Sequence, residues 1–342
     1  MSDQNILQET VSKLLAKGKG ILAADESNST ADKRLESIGA ETGESMRQKY
    51  RDLLLSTPNL ENYASGVILY DETFWQDDLS GRKFVDALTE KGILPGIKVD
   101  IGANDHADFP GEKITDGLDG LHERLLKYYA GGARFTKWRV VVKIDEENNL
   151  PTIGMIQENA RRFAKYVELA HLANLVPIVE PEILLDGKHS QEKCAEITGL
   201  VLREVFGELS RIGVYLPGVI LKTSMVISGN QNPEENSPEE VADSTIKVLK
   251  ENVPTELGGV VFLSGGQTAV ESTAHLDTIA EAEPLPWEIA FSYGRALQEP
   301  ALRIWKGKDE NIESAREEFL KRLKLNKLAD AGDYDIELEF HD

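Results

Sequence analysis

Three lysines occupy runs that otherwise read as buried strands: Lys98 in Leu94-Pro-Gly-Ile-Lys-Val99, Lys137 in Phe135-Thr-Lys-Trp-Arg-Val-Val141, and Lys222 in Val219-Ile-Leu-Lys-Thr-Ser-Met225. An ammonium withdrawn from water must be paired or lose its proton, and burial lowers a lysine pKa by as much as about 3 to 5. A neutral amine at physiological pH is a nucleophile whose natural target is a carbonyl carbon. Carboxylates able to move the protons of such chemistry stand in equivalent places. Asp25 ends Gly20-Ile-Leu-Ala-Ala-Asp25, and Glu180 and Glu182 end Leu175-Val-Pro-Ile-Val-Glu-Pro-Glu182. One lysine–glutamate pair would be read most simply as a structural ion pair. Three lysines, Arg139 and three carboxylates spread over five strand ends point instead to an enzyme.

The elements that must position these groups alternate along the chain. Strand-like runs occur near 19–25, 65–70, 94–99, 135–142, 175–182, 219–225, 259–265 and 287–294. Their near-continuous apolar character is that of parallel strands covered on both faces. Helical spacing lies between them, as in Ile156, Ala160, Phe163, Val167 and Ala170, or Leu118, Leu121 and Leu125 ahead of Tyr128. Ser237-Pro-Glu-Glu240 supplies an N-cap, a first-turn proline and a glutamate three residues on, so a helix is predicted to start there. The pattern predicts an α/β fold, a (β/α)8 TIM barrel in a single catalytic domain over 1–330. An extra helix at about 5–17 precedes it and an acidic tail, 331–342, follows it. A doubly wound open sheet is the alternative. No Gly-x-Gly-x-x-Gly follows the first strand and no Gly-x-x-x-x-Gly-Lys-Ser/Thr occurs, which disfavours its nucleotide-binding versions.

In a barrel, residues at the C-terminal ends of the strands converge on one mouth. Period-two alternation places Lys137 with Arg139, Glu180 with Glu182, and Lys222 with Ser224, while Ala23 beside Asp25 leaves room for a ligand. A phosphate signal is independent of that cluster. Leu263-Ser-Gly-Gly-Gln267 follows the seventh run and Phe291-Ser-Tyr-Gly-Arg295 the eighth. Loops after those strands bind phosphate in many barrels, because glycine lets backbone N–H groups approach the anion, and Arg295 would add a charged clamp. Asp25-Glu-Ser-Asn-Ser-Thr30 reads equally as a helix N-cap, and Lys33 and Arg34 as ordinary surface cations.

Composition bounds the remaining classes. The 342 residues carry a formal charge of −21, which disfavours nucleic acid and anionic membranes as partners. No apolar run approaches the roughly 20 residues of a membrane span. The start, Met1-Ser-Asp-Gln-Asn-Ile, lacks a secretory pattern, and Cys194 is the only cysteine, so a reducing cytoplasm is the expected setting. Cys194 sits in a helical stretch and reads as packing rather than a nucleophile. None of the six histidines falls at a strand end or in zinc-ligand spacing. Carboxylates alone could hold magnesium, which would leave the interleaved lysines unexplained. No metal or other cofactor is expected.

Gly18-Lys-Gly-Ile-Leu-Ala-Ala-Asp-Glu-Ser27, Gly96-Ile-Lys-Val-Asp100, Lys137-Trp-Arg139, Val179-Glu-Pro-Glu-Ile183, Leu221-Lys222, Leu263-Ser-Gly-Gly-Gln267 and Phe291-Ser-Tyr-Gly-Arg-Ala-Leu297 together resemble the motifs of class I, Schiff-base fructose-bisphosphate aldolases. The match runs in order from about residue 5 to 328. The resemblance implies reversible, metal-free cleavage of fructose 1,6-bisphosphate to dihydroxyacetone phosphate and glyceraldehyde 3-phosphate. It makes Lys222 the Schiff-base lysine, Glu180 the acid/base for the carbinolamine and Asp25 the base for the C4 hydroxyl. Lys137 would help keep Lys222 neutral, and Glu182 would support that network. Ser264, Gly265, Gly294 and Arg295 would hold the 1-phosphate, Ser292 is a further phosphate-binding residue, and Lys98, Arg139, Ser27 and Thr30 are candidates for the 6-phosphate end. Sugar phosphates are the implied partners, and a homo-oligomer, commonly a tetramer, the implied assembly. Two departures stand out: Phe340-His-Asp342 lacks the terminal tyrosine of animal relatives, and Ser29-Thr30 replaces the usual glycine and serine. Another imine-forming aldolase of the same fold, or a non-catalytic barrel with a binding role, would share parts of this pattern.

Overall fold

In the computed structural model, which describes residues 3–282 and 284–340, each of the eight apolar runs forms a strand of one parallel sheet. In chain order the strands are β1 (Gly20–Ala24), β2 (Ala64–Leu69), β3 (Leu94–Lys98), β4 (Gly102–His106), β5 (Phe109–Asp116), β6 (Phe135–Val142), β7 (Val176–Ile183), β8 (Ile220–Thr223), β9 (Gly259–Phe262) and β10 (Ile289–Phe291). The sheet runs β1-β2-β3-β6-β7-β8-β9-β10, while β4 and β5 form a separate antiparallel hairpin. The barrel is brought nearly to closure where the Ala23 N–H in β1 donates to the Tyr293 carbonyl just beyond β10, at 2.9 Å. This is the (β/α)8 architecture that the alternation predicts.

Residues pointing into the barrel form their own core of Ile21, Ile68, Phe135, Val176, Ile178, Ile220, Val261 and Ala290. The Phe135 ring fills the space over Gly96, where an added Cβ would lie 2.3 Å from it. A larger residue at 96 would therefore displace the ring that packs the barrel interior. The N-terminal helix, Gln4–Leu14, adds Leu7, Val11 and Leu14 to this inner core and so plugs the end opposite the charged strand ends. Its first turn is capped by Asp3, whose carboxylate accepts from the Asn5 and Ile6 N–H groups.

Outside the strands, helices such as Ile153–Leu172 and Gln191–Ile212 bury one face in the larger outer core. The predicted helix start at Ser237 is a full capping box with Glu240. The helix expected around Leu118 begins later, at Leu121, because Gly120 takes a left-handed conformation with φ 62° ahead of it. Cys194 is buried in its helix, and burial pushes its thiol up from the usual value. The acidic tail folds back: Glu339 pairs with the buried Arg322 at 2.6 Å and accepts from the Tyr334 hydroxyl at 2.9 Å. Residues 341 and 342 lie outside the described residues. Among the described residues, no helix is long and apolar enough to cross a membrane.

Candidate active site

At the C-terminal end of the strands lies a cleft of about 1170 Å³. It is lined by all five residues proposed for chemistry and all nine proposed for phosphate. Parallel pairing explains the assembly. Lys98 in β3 sits opposite Lys137 in β6, Arg139 opposite Glu180 in β7, and Val141 opposite Glu182. Inward-facing alternate residues of neighbouring strands thus stack side by side at the barrel mouth. Ser224, on the predicted face of Lys222, turns away and bonds instead to the Ile183 backbone.

Four charged groups form the deepest layer. Lys222 and Lys137 are 3% and 4% exposed. Lys137 Nζ lies 2.8 Å from Asp25 Oδ2 and 2.8 Å from Glu180 Oε2, and Lys222 Nζ lies 3.2 Å from Glu180 Oε1. Burial is the largest influence on Lys222 and pushes its amine below the ordinary lysine value; the Lys137 ammonium pushes the same way, against the pull of Glu180 and Asp25. At Lys137 burial has the same tendency but is outweighed by Asp25 and Glu180, so its pKa is raised. One of the two lysines is thereby held charged and the other biased toward the free amine. Burial alone would raise the Asp25 and Glu180 pKa values, yet Lys137 and Lys222 prevail and hold both carboxyls low and ionised. Glu180 Oε2 is close to Lys137 but outside hydrogen-bond geometry, which leaves this buried oxygen without a hydrogen-bond donor.

The two ends of the cleft are suited to anions. On one side the Ser264–Gln267 turn places Gly265 and Gly266 at φ +51° and +101°, conformations that favour glycine. Beside it the helix Arg295–Trp305 begins at Gly294, so a helix N-terminus and the exposed Arg295 face the same space. Ser292 is buried with an unpartnered hydroxyl, an orphaned polar atom at this end. On the other side Lys98 Nζ donates to the Asp100 carboxylate and, at 3.0 Å, to its carbonyl. Arg139 pairs with Glu182 and remains partly exposed. Ser27 caps the helix Asn28–Ser37 through the Thr30 N–H, and the two hydroxyls are 3.0 Å apart.

Sequence reasoning missed the layer behind Asp25. Glu26 is buried between Arg34 and Arg51, and Arg34 also donates to the Tyr50 hydroxyl and to Gln298 Oε1. Arg34 is therefore no ordinary surface cation, whereas Lys33 is exposed at the cleft rim as expected. Gln298 completes the layer by donating to the Ala23 carbonyl at 2.5 Å. Its members come from the loop after β1 and three separate helices, and nothing in local spacing joins them. Asp100, which the sequence shows only as the end of the Gly96–Asp100 motif, has a carboxylate that ties Lys98 to the Arg139 backbone N–H.

The family model for class-I fructose-bisphosphate aldolase matches residues 6–341. The chain is 49% identical over 327 residues to a probable fructose-bisphosphate aldolase class 1 of Xanthomonas axonopodis pv. citri, covering 95% of this chain and 97% of the relative. It is 48% identical to the cytosolic fructose-bisphosphate aldolase 4 of Arabidopsis thaliana, over 93% of this chain and 80% of the relative. Among solved structures, a fructose-bisphosphate aldolase from Plasmodium falciparum, in complex with TRAP and a small-molecule inhibitor, superposes with a TM-score of 0.95 at 46% identity. That alignment covers 97% of this chain and 95% of the other. With a matched family model across nearly the whole chain and relatives at this identity, the chain belongs to the class-I fructose-bisphosphate aldolase family.

Proposed function

We propose that the protein cleaves fructose 1,6-bisphosphate reversibly to dihydroxyacetone phosphate and glyceraldehyde 3-phosphate through a Schiff base on Lys222. The reading places it in glycolysis and gluconeogenesis in the cytoplasm, as a homo-oligomer and by family resemblance a tetramer. A cytosolic relative supports that setting, although a chloroplastic aldolase is also 44% identical. The observation that carries the proposal is the buried Lys222 amine, held low in pKa 3.2 Å from a carboxylate.

Lys222 Nζ attacks the C2 carbonyl of the open-chain sugar. Glu180, ionised at rest, relays a proton from the attacking nitrogen to the C2 oxygen to give the neutral carbinolamine, then takes up a second proton from solvent and delivers it to the C2 hydroxyl, which leaves as water. The cationic imine that remains is an electron sink. Asp25 takes the C4 hydroxyl proton, C4 becomes the aldehyde carbon, and the C3–C4 bonding electrons flow into an enamine. Protonation at C3 and addition of water to the imine then release dihydroxyacetone phosphate and the free lysine. Lys137 keeps Asp25 and Glu180 ionised and disfavours an ammonium at Lys222. Glu182 fixes Arg139, which with Lys98, Ser27 and Thr30 receives the 6-phosphate. Ser264, Gly265, Ser292, Gly294 and Arg295 receive the 1-phosphate. The iminium supplies the electron withdrawal that a metal would otherwise provide, so no metal or cofactor is required.

Lys222→Met tests the assignment. Cleavage falls to background in a coupled assay, while circular dichroism and melting temperature show a fold at least as stable, because a buried amine has been replaced by an apolar chain of similar length. Near-normal turnover in that variant would remove Lys222 from the mechanism.

A further inference from the structure

A second cavity, of about 110 Å³, lies behind the active-site wall, between the outer face of β6 and β7 and the helices Ile153–Leu172 and Gln191–Ile212. Its lining is largely apolar, with Val140, Val142, Met155, Phe163, Val201 and Val205 contributing. The polar side chains at its edge are already engaged. Glu112 accepts from the Thr152 N–H at 2.9 Å and from the Thr152 hydroxyl at 2.5 Å. Asn159 accepts from the Thr115 N–H at 3.3 Å and donates to the Lys113 carbonyl at 3.0 Å. Lys113 and Lys143 pair with Asp105 and Asp145 at 2.6 and 2.7 Å. Among the described residues, no buried side-chain atom left without a hydrogen bond belongs to this lining. A water needs two to four polar partners, so it gains little here, whereas a dry apolar cavity of about 150 Å³ is large enough for benzene. Interiors are otherwise packed with few voids larger than a water molecule.

We propose that this cavity is a binding site for a small uncharged apolar molecule of about the size of a single aromatic ring, and that its occupancy is felt in the catalytic cleft. Two shared elements connect the spaces. Val141, between Val140 and Val142 on β6, lines both cavities, and Arg139, two residues before it on the same strand, carries part of the cleft's positive charge. The β4–β5 hairpin lines the rear cavity with Gly111 and Glu112 and the cleft with Gly102 and Ala103. An occupant that presses on β6 or lifts the hairpin therefore shifts groups at the 6-phosphate end. The direction expected is weaker substrate binding.

The test uses toluene and the full chain with ¹³C-methyl-labelled methionine. Saturable movement of the Met155 methyl signal is expected while Met46, which is partly buried against the outer core and not in this lining, stays fixed. At the same toluene concentration the KM for fructose 1,6-bisphosphate rises about fivefold, the lower end of ordinary site-to-site coupling. Val205→Phe fills the space and abolishes both responses; should it not fold, Ala160→Val reduces the room by less and weakens both. Absence of a Met155 response, equal movement of both methyls, or a Met155 response with unchanged KM would each overturn the proposal. The KM arm rests on the function proposed above, but the methyl titration does not: a protein without aldolase activity would still report on the cavity.

Discussion

At the scale of single residues, the central relation is that between Lys137 and Lys222. Both are buried and both approach Glu180, but only Lys137 also reaches Asp25, so Lys137 keeps its proton and Lys222 is biased to release its own. The amine must be neutral to attack, so the acid limb of kcat/KM reports the Lys222 pKa in the free enzyme and lies below the ordinary lysine value of 10.5. Lys137→Met removes a neighbouring positive charge and leaves two carboxylates facing Lys222. Both changes favour the Lys222 ammonium, so the acid limb moves to higher pH. Each increment of one in pKa costs about tenfold in neutral amine at fixed pH below it. A pH profile of the variant checks this, and an acid limb that stays put or moves to lower pH contradicts it. These lysines were legible in the sequence because a charge in an apolar strand is costly and therefore conspicuous. Glu26, Arg34 and Arg51 were not, since each lies in a polar stretch where a charge needs no explanation.

At the scale of elements, the strand runs were readable because parallel strands covered on both faces leave a continuous apolar signature. The ends of β8, β9 and β10 fall short of the predicted runs, and the residues beyond them, such as Ser264 and Ser292, form the loops that reach the cleft. The β4–β5 hairpin was missed. Gly102-Ala-Asn-Asp-His106 is polar and poor in β-branched residues, and most of its side chains are exposed, so neither composition nor alternation marks it as strand. The glycine loop makes a specific prediction. Gly265 has φ +51°, and an added Cβ would lie 2.8 Å from the Leu263 side chain. Gly265→Ala incurs about 1–2 kcal/mol of left-handed strain and displaces that neighbour. If the strain is relieved by moving the turn away from the phosphate, KM rises about tenfold for a loss of about 1.4 kcal/mol in binding. Steady-state kinetics decide, and an unchanged KM would argue against phosphate contact by this turn.

At the scale of the whole molecule, the barrel separates its work between two ends. The N-terminal helix seals one end with leucines and valine, and the strand ends gather charge at the other. The charged mouth was implicit in the sequence once eight strands were counted, whereas the plug formed by the N-terminal helix and the docking of the tail through Glu339 on Arg322, residues 17 apart, come only from the fold. The buried titratable groups set how the molecule responds to acid. Burial pushes His171 and His275 below their ordinary value of 6.5. The unfolded chain therefore takes up these protons first, and their contribution to stability is present above 6.5 and lost as pH falls below it. Asp25, Glu26 and Glu180 are also held low, so their contributions are present above the ordinary carboxylate values and are lost at still lower pH. Melting temperature should fall on going from pH 8 to pH 5 and fall further toward pH 3. A profile flat or rising over that range would contradict this picture.

The mechanism depends above all on an imine at Lys222, and borohydride trapping addresses it directly. The protein is incubated with dihydroxyacetone phosphate and EDTA, reduced, digested and searched by peptide mass spectrometry for added mass. A reduced adduct on Lys222, formed with metal chelated, is the predicted result. A folded protein that gives no adduct, or one only on another lysine, would contradict the mechanism.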